Sequence, residues 1–370
     1  MSVPDLDILF YELIRVAIGV QNDLSRTLTS REWEGLYKMA QKQSLVGVCF
    51  AGVQRLCNSE VEYYAGMSEL QYLTWMSMAA QIQQNNAVLN QKCAELQRRL
   101  SADGFNSCVL KGQGVAKAYN EQLRDIRQSG DIDVWICENR EKILAYVQRI
   151  SPTNKVTRLH TQLKVFVDTE VEIHVMPTYM RCPWVNRRLQ KWFRKYEQFD
   201  KFVVEDGIRI PSAEFNLVFL LLHIYRHFLG EGVGLRQIMD YYFILILPQG
   251  ISEKFERNSE TLKVLRDLHL CDFAAGLMWV MQEVFCLPRE NMLCEPDEKL
   301  GRLILREIEI SGNFGQYDNR AQKGESVWKR FCRTNASNFR FIRYFPEEVL
   351  CTPFYRIWHK CWQMKYGYRG

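Results

Sequence analysis

Asp131 and Asp133 bracket an isoleucine in the run Ser129-Gly-Asp-Ile-Asp-Val134, and this spacing carries the strongest chemical signal in the sequence. A β-strand turns successive side chains to opposite faces, so the two carboxylates share one face while Ile132 and Val134 enter a core. Like charges held that close repel unless a cation lies between them, which points to Mg²⁺ or Mn²⁺ carrying a nucleoside triphosphate. Upstream, Cys108-Val109-Leu110 reads as a buried strand that ends at Lys111-Gly112-Gln113-Gly114, where bare glycine backbone can approach a phosphate. A helix expected from Gly112 to Tyr119 would turn its free amides and positive dipole end toward the same phosphate.

A third carboxylate is expected from a later strand. Leu163-Lys-Val-Phe-Val167 and Val171-Glu-Ile-His-Val175 outline a hairpin around Asp168-Thr-Glu170. In the second arm Val171, Ile173 and Val175 share the core face, leaving Glu172 and His174 on the other. Two divalent ions about 4 Å apart can activate a phosphorus, deprotonate a hydroxyl and neutralise a leaving pyrophosphate. Asp131 and Asp133 are assigned to bridge both ions. Glu172 is assigned to complete the ion that lowers the acceptor hydroxyl pKa, and is placed to take its proton. An isolated Asp-x-Asp is usually a solvated strand end; here the glycine turn and the Glu172 strand favour the chemical role.

Several of the remaining candidates admit more than one role. Lys111, Arg124 and Arg127 are cations suited to the triphosphate, with a surface arginine as the alternative for Arg127. Gly112, Gln113, Gly114, Ser129 and Gly130 complete the expected nucleotide-binding set. His174 either orients Glu172, contacts substrate or serves structure. His223 and His227 are one helical turn apart, a zinc-compatible spacing without a third ligand nearby, so core or hydrogen-bonding roles are favoured. Arg236 and Asp240 are placed to pair with each other. Residues 181–201 mix Trp and Tyr with Arg and Lys; Leu189, Trp192, Phe193 and Tyr196 would face a core and the cations solvent, with RNA contact as the less favoured alternative.

These residues need elements to position them. Leu6, Leu9, Phe10, Leu13 and Ala17 fall at helical spacing, with Gly19 as a stop. Thr29-Ser-Arg-Glu32 fits a capping box ahead of Trp33, Leu36, Tyr37 and Ala40. Helices are expected over Val46–Leu56 and over a long stretch from Val61 to Leu100, ended by Asp103-Gly104. After the Asp pair, Glu141–Ile150 reads as an amphipathic helix stopped by Ser151-Pro152. Asp206-Gly207 predicts a tight turn between Phe202–Val204 and Ile208–Ile210. From Pro211 onward the pattern is helical again: Ser212 caps a nearly all-apolar helix, residues 230–234 break it, and Leu235 opens another.

Bulk properties narrow the classes. A chain of 370 residues exceeds the usual single core, and 47% apolar content suffices for two or three packed units. The formal charge of +5, from 48 basic and 43 acidic residues, permits an anionic substrate without being a nucleic-acid signature. Twelve scattered cysteines without a C-x-x-C pair argue against a disulfide scaffold or zinc module and for reduced thiols in a cytoplasm. The N-terminus lacks a basic n-region, and apolar runs such as Tyr241–Leu247 are too short for a bilayer, so a soluble protein with no membrane role is expected. No internal repeat or low-complexity linker interrupts the chain.

With the glycine turn, Asp-x-Asp and later carboxylate strand together, the chain resembles the nucleotidyltransferase superfamily typified by DNA polymerase beta. More closely it resembles a bacterial group of uncharacterised nucleotidyltransferases. The shared residues are Leu110-Lys-Gly112, Gly130-Asp-Ile-Asp133, Glu172-Ile-His174, His223 with His227, and Leu235-Arg236 to Asp240. The resemblance implies a fold of class α+β: a small mixed β-sheet nucleotidyltransferase core at 101–211, flanked by helical units at 1–100 and 212–370. It implies two divalent cations, an NTP and nucleotidyl transfer to an unspecified hydroxyl acceptor. In the wider superfamily the turn carries Gly-Ser about ten residues before the first Asp, whereas here Gln113 follows Gly112 and the gap is longer. Two alternatives remain: a catalytically silent nucleotide-binding or scaffold protein, and an RNA-end-modifying enzyme.

Overall fold

The structure, a computed structural model, describes residues 3–58, 66–151, 156–248, 251–318 and 326–366. It opens with the helices Val3–Ile18, Ser30–Gln43, Val46–Cys57 and the 34-residue Glu69–Ala102. The expected start of the long helix at Val61, and Pro152, lie outside the described residues. The predicted capping box is formed: Thr29 N–H donates to Glu32 Oε2 at 2.8 Å and Glu32 N–H to Thr29 Oγ1 at 3.4 Å. A second box, Ser68 with Gln71, starts the long helix.

A four-stranded mixed sheet follows, in the order β1 (Ser107–Val109), β2 (Ile132–Ile136), β4 (Val171–His174), β3 (His160–Gln162). Strands β1 and β2 are antiparallel, β2 and β4 parallel, and β3 and β4 antiparallel. A parallel pair needs a crossover, and the helix Arg140–Ile150 lies within it. One face of this sheet is dry. Ile132, Val134 and Ile136 pack with Val171 and Ile173 against Leu96 and Leu100 of the long helix and Ile143 and Val147 of the crossover helix. On the other face β2 presents Asp133 and then Trp135, which packs edge-on to Phe199 at 4.9 Å and stacks with Phe215 at 6.0 Å.

The predicted hairpin around 168–170 is antiparallel as expected, but its first strand lies earlier, at His160–Gln162 rather than Leu163–Val167. Leu163 N–H still donates to Val171 O at 2.9 Å, and Val165 N–H then turns back to Leu163 O. The apolar run therefore leaves the sheet after one residue, and Val167 is fully exposed. Strands β5 (Val203–Glu205) and β6 (Ile208–Ile210) form the second hairpin. Its Asp206 and Gly207 both take positive φ, at 50° and 75°, as a tight two-residue turn requires.

The C-terminal helices begin with Ala213–Phe228, capped by Ser212 as predicted, and Leu235–Leu245. Later helices include Ile251–Asp267, Cys271–Phe285, Glu298–Ser311, Val327–Phe339 and Pro346–Tyr366. A large apolar cluster joins the first three helices to these C-terminal ones. No helix among the described residues is long and apolar enough to cross a membrane.

Candidate active site

Register decides which side chains meet. Asp133 on β2 stands beside Glu172 on the parallel β4, and His160 on β3 pairs with His174 on β4. Because Asp131 lies two residues before Asp133 and His174 two after Glu172, all four project to the face opposite the dry core. Ligand oxygens of Asp131, Asp133 and Glu172 lie within 4.8 Å of one another. A second such group, His160, Glu172 and His174, shares Glu172 with the first.

Charge within this cluster is balanced by named partners. Lys111 Nζ lies 2.8 Å from Asp133 Oδ1, and His174 Nε2 lies 2.7 Å from the same oxygen. His160 Nδ1 is 2.6 Å from Glu172 Oε2, and His174 Nε2 is 3.6 Å from it. Burial works against the Asp133 carboxylate, but Lys111 and His174 prevail and hold it well below the usual carboxylate range. Burial also opposes Glu172, yet hydrogen bonds from His160 and His174 bring it down to about 2. Asp131 goes the other way: the neighbouring Asp133 charge, then desolvation by the surrounding protein, raise its pKa despite Lys111. His174 and Lys111 are both penalised by burial, and the surrounding carboxylates more than compensate, raising both.

The carboxylates line a cavity of 480 Å³. Its walls include Lys111, Gly112, Gly130, His174, His223, His227, Arg127, Arg236 and Asp240, so the structure brings most of the sequence candidates together. Gly112 adopts φ 57°, and a Cβ there would lie 3.5 Å from Asp131 O, which keeps the turn close to the Asp strand.

Some candidates are directed elsewhere. The helix after the glycine turn is only the four residues Gln113–Ala116 rather than a run to Tyr119. Gln113 is buried and donates to Asn86 O at 3.2 Å and Asn90 Oδ1 at 2.8 Å, on the long helix. Gly114 is a packing glycine, since a Cβ there would meet Val109 O at 2.5 Å. Arg124 faces Glu205 and the Lys117 carbonyl. Arg236 and Asp240 do not pair as the helical spacing suggests. Asp240 instead takes a two-pronged contact from Arg127, Nε to Oδ1 at 2.6 Å and Nη2 to Oδ2 at 2.7 Å, with Tyr119 OH at 2.7 Å. Arg127 Nη1 also donates to Ser129 Oγ at 2.8 Å, and Arg236 Nη1 to Gln128 O at 2.6 Å. Arg127 and Ser129 thus brace the loop that leads into Asp131.

His223 and His227 stand with ring centroids 4.4 Å apart, and burial first, then nearby cations, lower the pKa of His223 well below its usual value. Among the described residues they join no cluster of metal-ligating side chains. The lining residues that were not anticipated include His160, Arg226 and Tyr179. His160 was hidden by the misplaced strand. Arg226 shares the helix of His223 and His227 at i, i+3, a signal that was legible. Tyr179 has no local pattern to mark it.

The sequence pattern of the family described as "Uncharacterised nucleotidyltransferase" matches residues 29–280. The chain belongs to this nucleotidyltransferase family. The match spans the helices that follow Thr29, the whole sheet and the His223–Asp240 wall of the cavity. None of the curated proteins matches the chain. One solved structure is similar, that of an antigenic nucleotidyltransferase-like protein from Paracoccidioides brasiliensis, at 14% identity. The likeness covers 58% of this chain and 96% of that one, with a TM-score of 0.32.

Proposed function

We propose that the protein transfers an NMP group from an NTP to a hydroxyl on a small molecule, peptide or protein, with Mg²⁺ or Mn²⁺ as cofactor. The observation that carries this is the convergence of Asp131, Asp133 and Glu172 within 4.8 Å, on strands that present them to one cavity. An all-carboxylate donor set suits a hard divalent cation. The Lys111 ammonium beside Asp133 already supplies positive charge at that position. Asp131, Asp133 and Glu172 would hold the ions, which when bound polarise the α-phosphate and acidify the acceptor hydroxyl. Glu172, oriented by His160 and His174, is placed to accept that hydroxyl's proton once a bound ion has acidified the hydroxyl. Lys111 and Arg236 are the cations placed to meet phosphate oxygens from the cavity wall.

The units at 1–100 and 212–370 would shape the acceptor pocket around the core at 101–211. The cavity wall is consistent with this, as Leu220, His223 and His359 come from C-terminal helices. A polymerase-beta-type core, a bacterial source and a cytoplasmic location belong to the same proposal. An RNA acceptor is disfavoured, since no residue of 181–201 lines the carboxylate cavity. The silent-scaffold alternative is disfavoured by the completeness of the acidic set.

The test is transfer of label from each α-labelled NTP, with Mg²⁺, into panels of small-molecule, peptide and protein hydroxyl acceptors. One NTP should label an acceptor and release pyrophosphate, with Asp133→Ala reduced to background. A melting temperature unmoved by every NTP with Mg²⁺ would overturn the proposal.

A further inference from the structure

The carboxylate cavity continues into a smaller lobe of 270 Å³. The two share Tyr179, Arg226, His227, Glu231, His359 and Gln363, but none of Asp131, Asp133 and Glu172 reaches the lobe. Into this small space the fold brings the guanidinium groups of Arg181, Arg226 and Arg356 and the ammonium of Lys360, against Glu231 alone among the carboxylates of the described lining. Adjacent cations repel one another at a cost that rises as water is excluded.

Glu231 and Glu348 offset part of that charge through space, but none of the three guanidinium groups has a direct ion pair with a described carboxylate. Buried Glu348 lies close by, but its two oxygens accept the backbone N–H of Arg181 at 2.8 Å and of Cys182 at 3.1 Å. Among the described residues Arg181 Nη1 donates only to the Thr352 hydroxyl, at 3.3 Å. Arg226 lies over the Tyr179 ring at 4.1 Å and donates through Nη1 to Thr178 Oγ1 at 2.8 Å. Its buried Nε donates to no described residue. Arg356 forms no ion pair with a described carboxylate, and burial, followed by the Arg181 charge, presses its pKa down to about 10. A planar guanidinium offers a fork of donors matched to an oxyanion, and three forks with one exposed carboxylate suit a doubly charged group.

We infer that this lobe seats a phosphate monoester carried by the acceptor, among Arg181, Arg226 and Arg356, while the acceptor's hydroxyl lies at Glu172. This rests on the nucleotidyl-transfer function proposed above. The anion is assigned to the acceptor because the NTP's own phosphates must lie against the three acids, where Lys111 and Arg236 line the wall, Arg127 being taken by Asp240, while Arg181 and Arg356 line the lobe alone and Arg226 lies between the two.

Calorimetric titration of the full chain with inorganic phosphate, in the presence and absence of a non-hydrolysable ATP analogue with Mg²⁺, tests this. The wild type should bind phosphate, Arg356→Gln should weaken it roughly tenfold or more, and Arg356→Lys should restore part of the loss. The melting temperature of both variants checks that they fold. The analogue's affinity should change less than about twofold in Arg356→Gln, and phosphate should bind equally well with the analogue in place. Absence of phosphate binding, or equal binding by Arg356→Gln, overturns the site. Displacement of phosphate by the analogue, or matching losses for both ligands in Arg356→Gln, assigns the lobe to the NTP and overturns the acceptor. An Asp133→Asn chain should lose the analogue and keep phosphate. If the wild type binds phosphate through Arg356 but no nucleotide, the transfer function fails while the anion site stands.

Discussion

Asp133 is the residue on which the charge balance of the site turns, because one of its oxygens meets both Lys111 and His174. Its neighbour Glu172 gives the clearest pH signature. Its folded pKa of about 2 lies below the ordinary 4.5, so its contribution to stability is full above about 4.5 and is lost as pH falls through 2. The stability gap between wild type and Glu172→Gln, measured by urea unfolding, should therefore narrow as pH is lowered across that window. A gap that is constant from pH 5 to the acid limit would contradict the hydrogen bonds from His160 and His174. His174 has the opposite sign: raised in the folded state, its contribution is full below 6.5 and is lost as pH rises through the higher folded value. At this scale much was legible in the sequence, since strand periodicity alone places Asp131, Asp133, Glu172 and His174 on one face. His160 was not, because its strand reads His-Thr-Gln, without an apolar pattern, while the apolar run begins only at Leu163.

At the scale of elements, the turn between β1 and the short helix positions Lys111. Gly114 is the constraint there, as a Cβ would come within 2.5 Å of Val109 O, backbone that cannot yield without moving the turn. Gly114→Ala should destabilise the protein by about 1–3 kcal/mol in urea unfolding and reduce transfer activity with it. Gly130, equally conspicuous in the sequence and nearer the Asp pair, has open space where its Cβ would lie. Gly130→Ala should leave unfolding within about 0.5 kcal/mol of wild type. Equal losses for the two glycines would contradict the packing described. The sequence marked both as phosphate-binding because composition alone cannot separate a glycine that faces a cavity from one that faces a neighbouring carbonyl. Capping residues were more informative: Thr29, Ser212 and Asp206-Gly207 each act within a few positions of themselves, and each formed the local structure their types predict.

The whole molecule enters through contacts between distant segments, and these are the part that local patterns do not show. Tyr119, Arg127 and Asp240 meet in one buried group that ties the loop before Asp131 to the helix Leu235–Leu245. Removing one partner of a buried pair strands the other's charge. Asp240→Ala should thus cost about 3–5 kcal/mol of unfolding free energy, whereas breaking a solvent-screened surface pair such as Glu34 with Lys38 should cost far less. A loss under about 1 kcal/mol in Asp240→Ala would show that the group is not a structural tie. The same long-range convergence places Tyr179, Arg226 and His359 around the acids, drawing on segments 180 residues apart. The central claim is that Asp131, Asp133 and Glu172 hold a divalent cation together. Mn²⁺ binding followed by electron paramagnetic resonance, on the wild type and on Asp131→Asn, Asp133→Asn and Glu172→Gln, tests it most directly. The account predicts bound Mn²⁺ in the wild type, competed by Mg²⁺ and weakened in each of the three variants. Mn²⁺ that fails to bind, or that binds all four proteins alike, would contradict it.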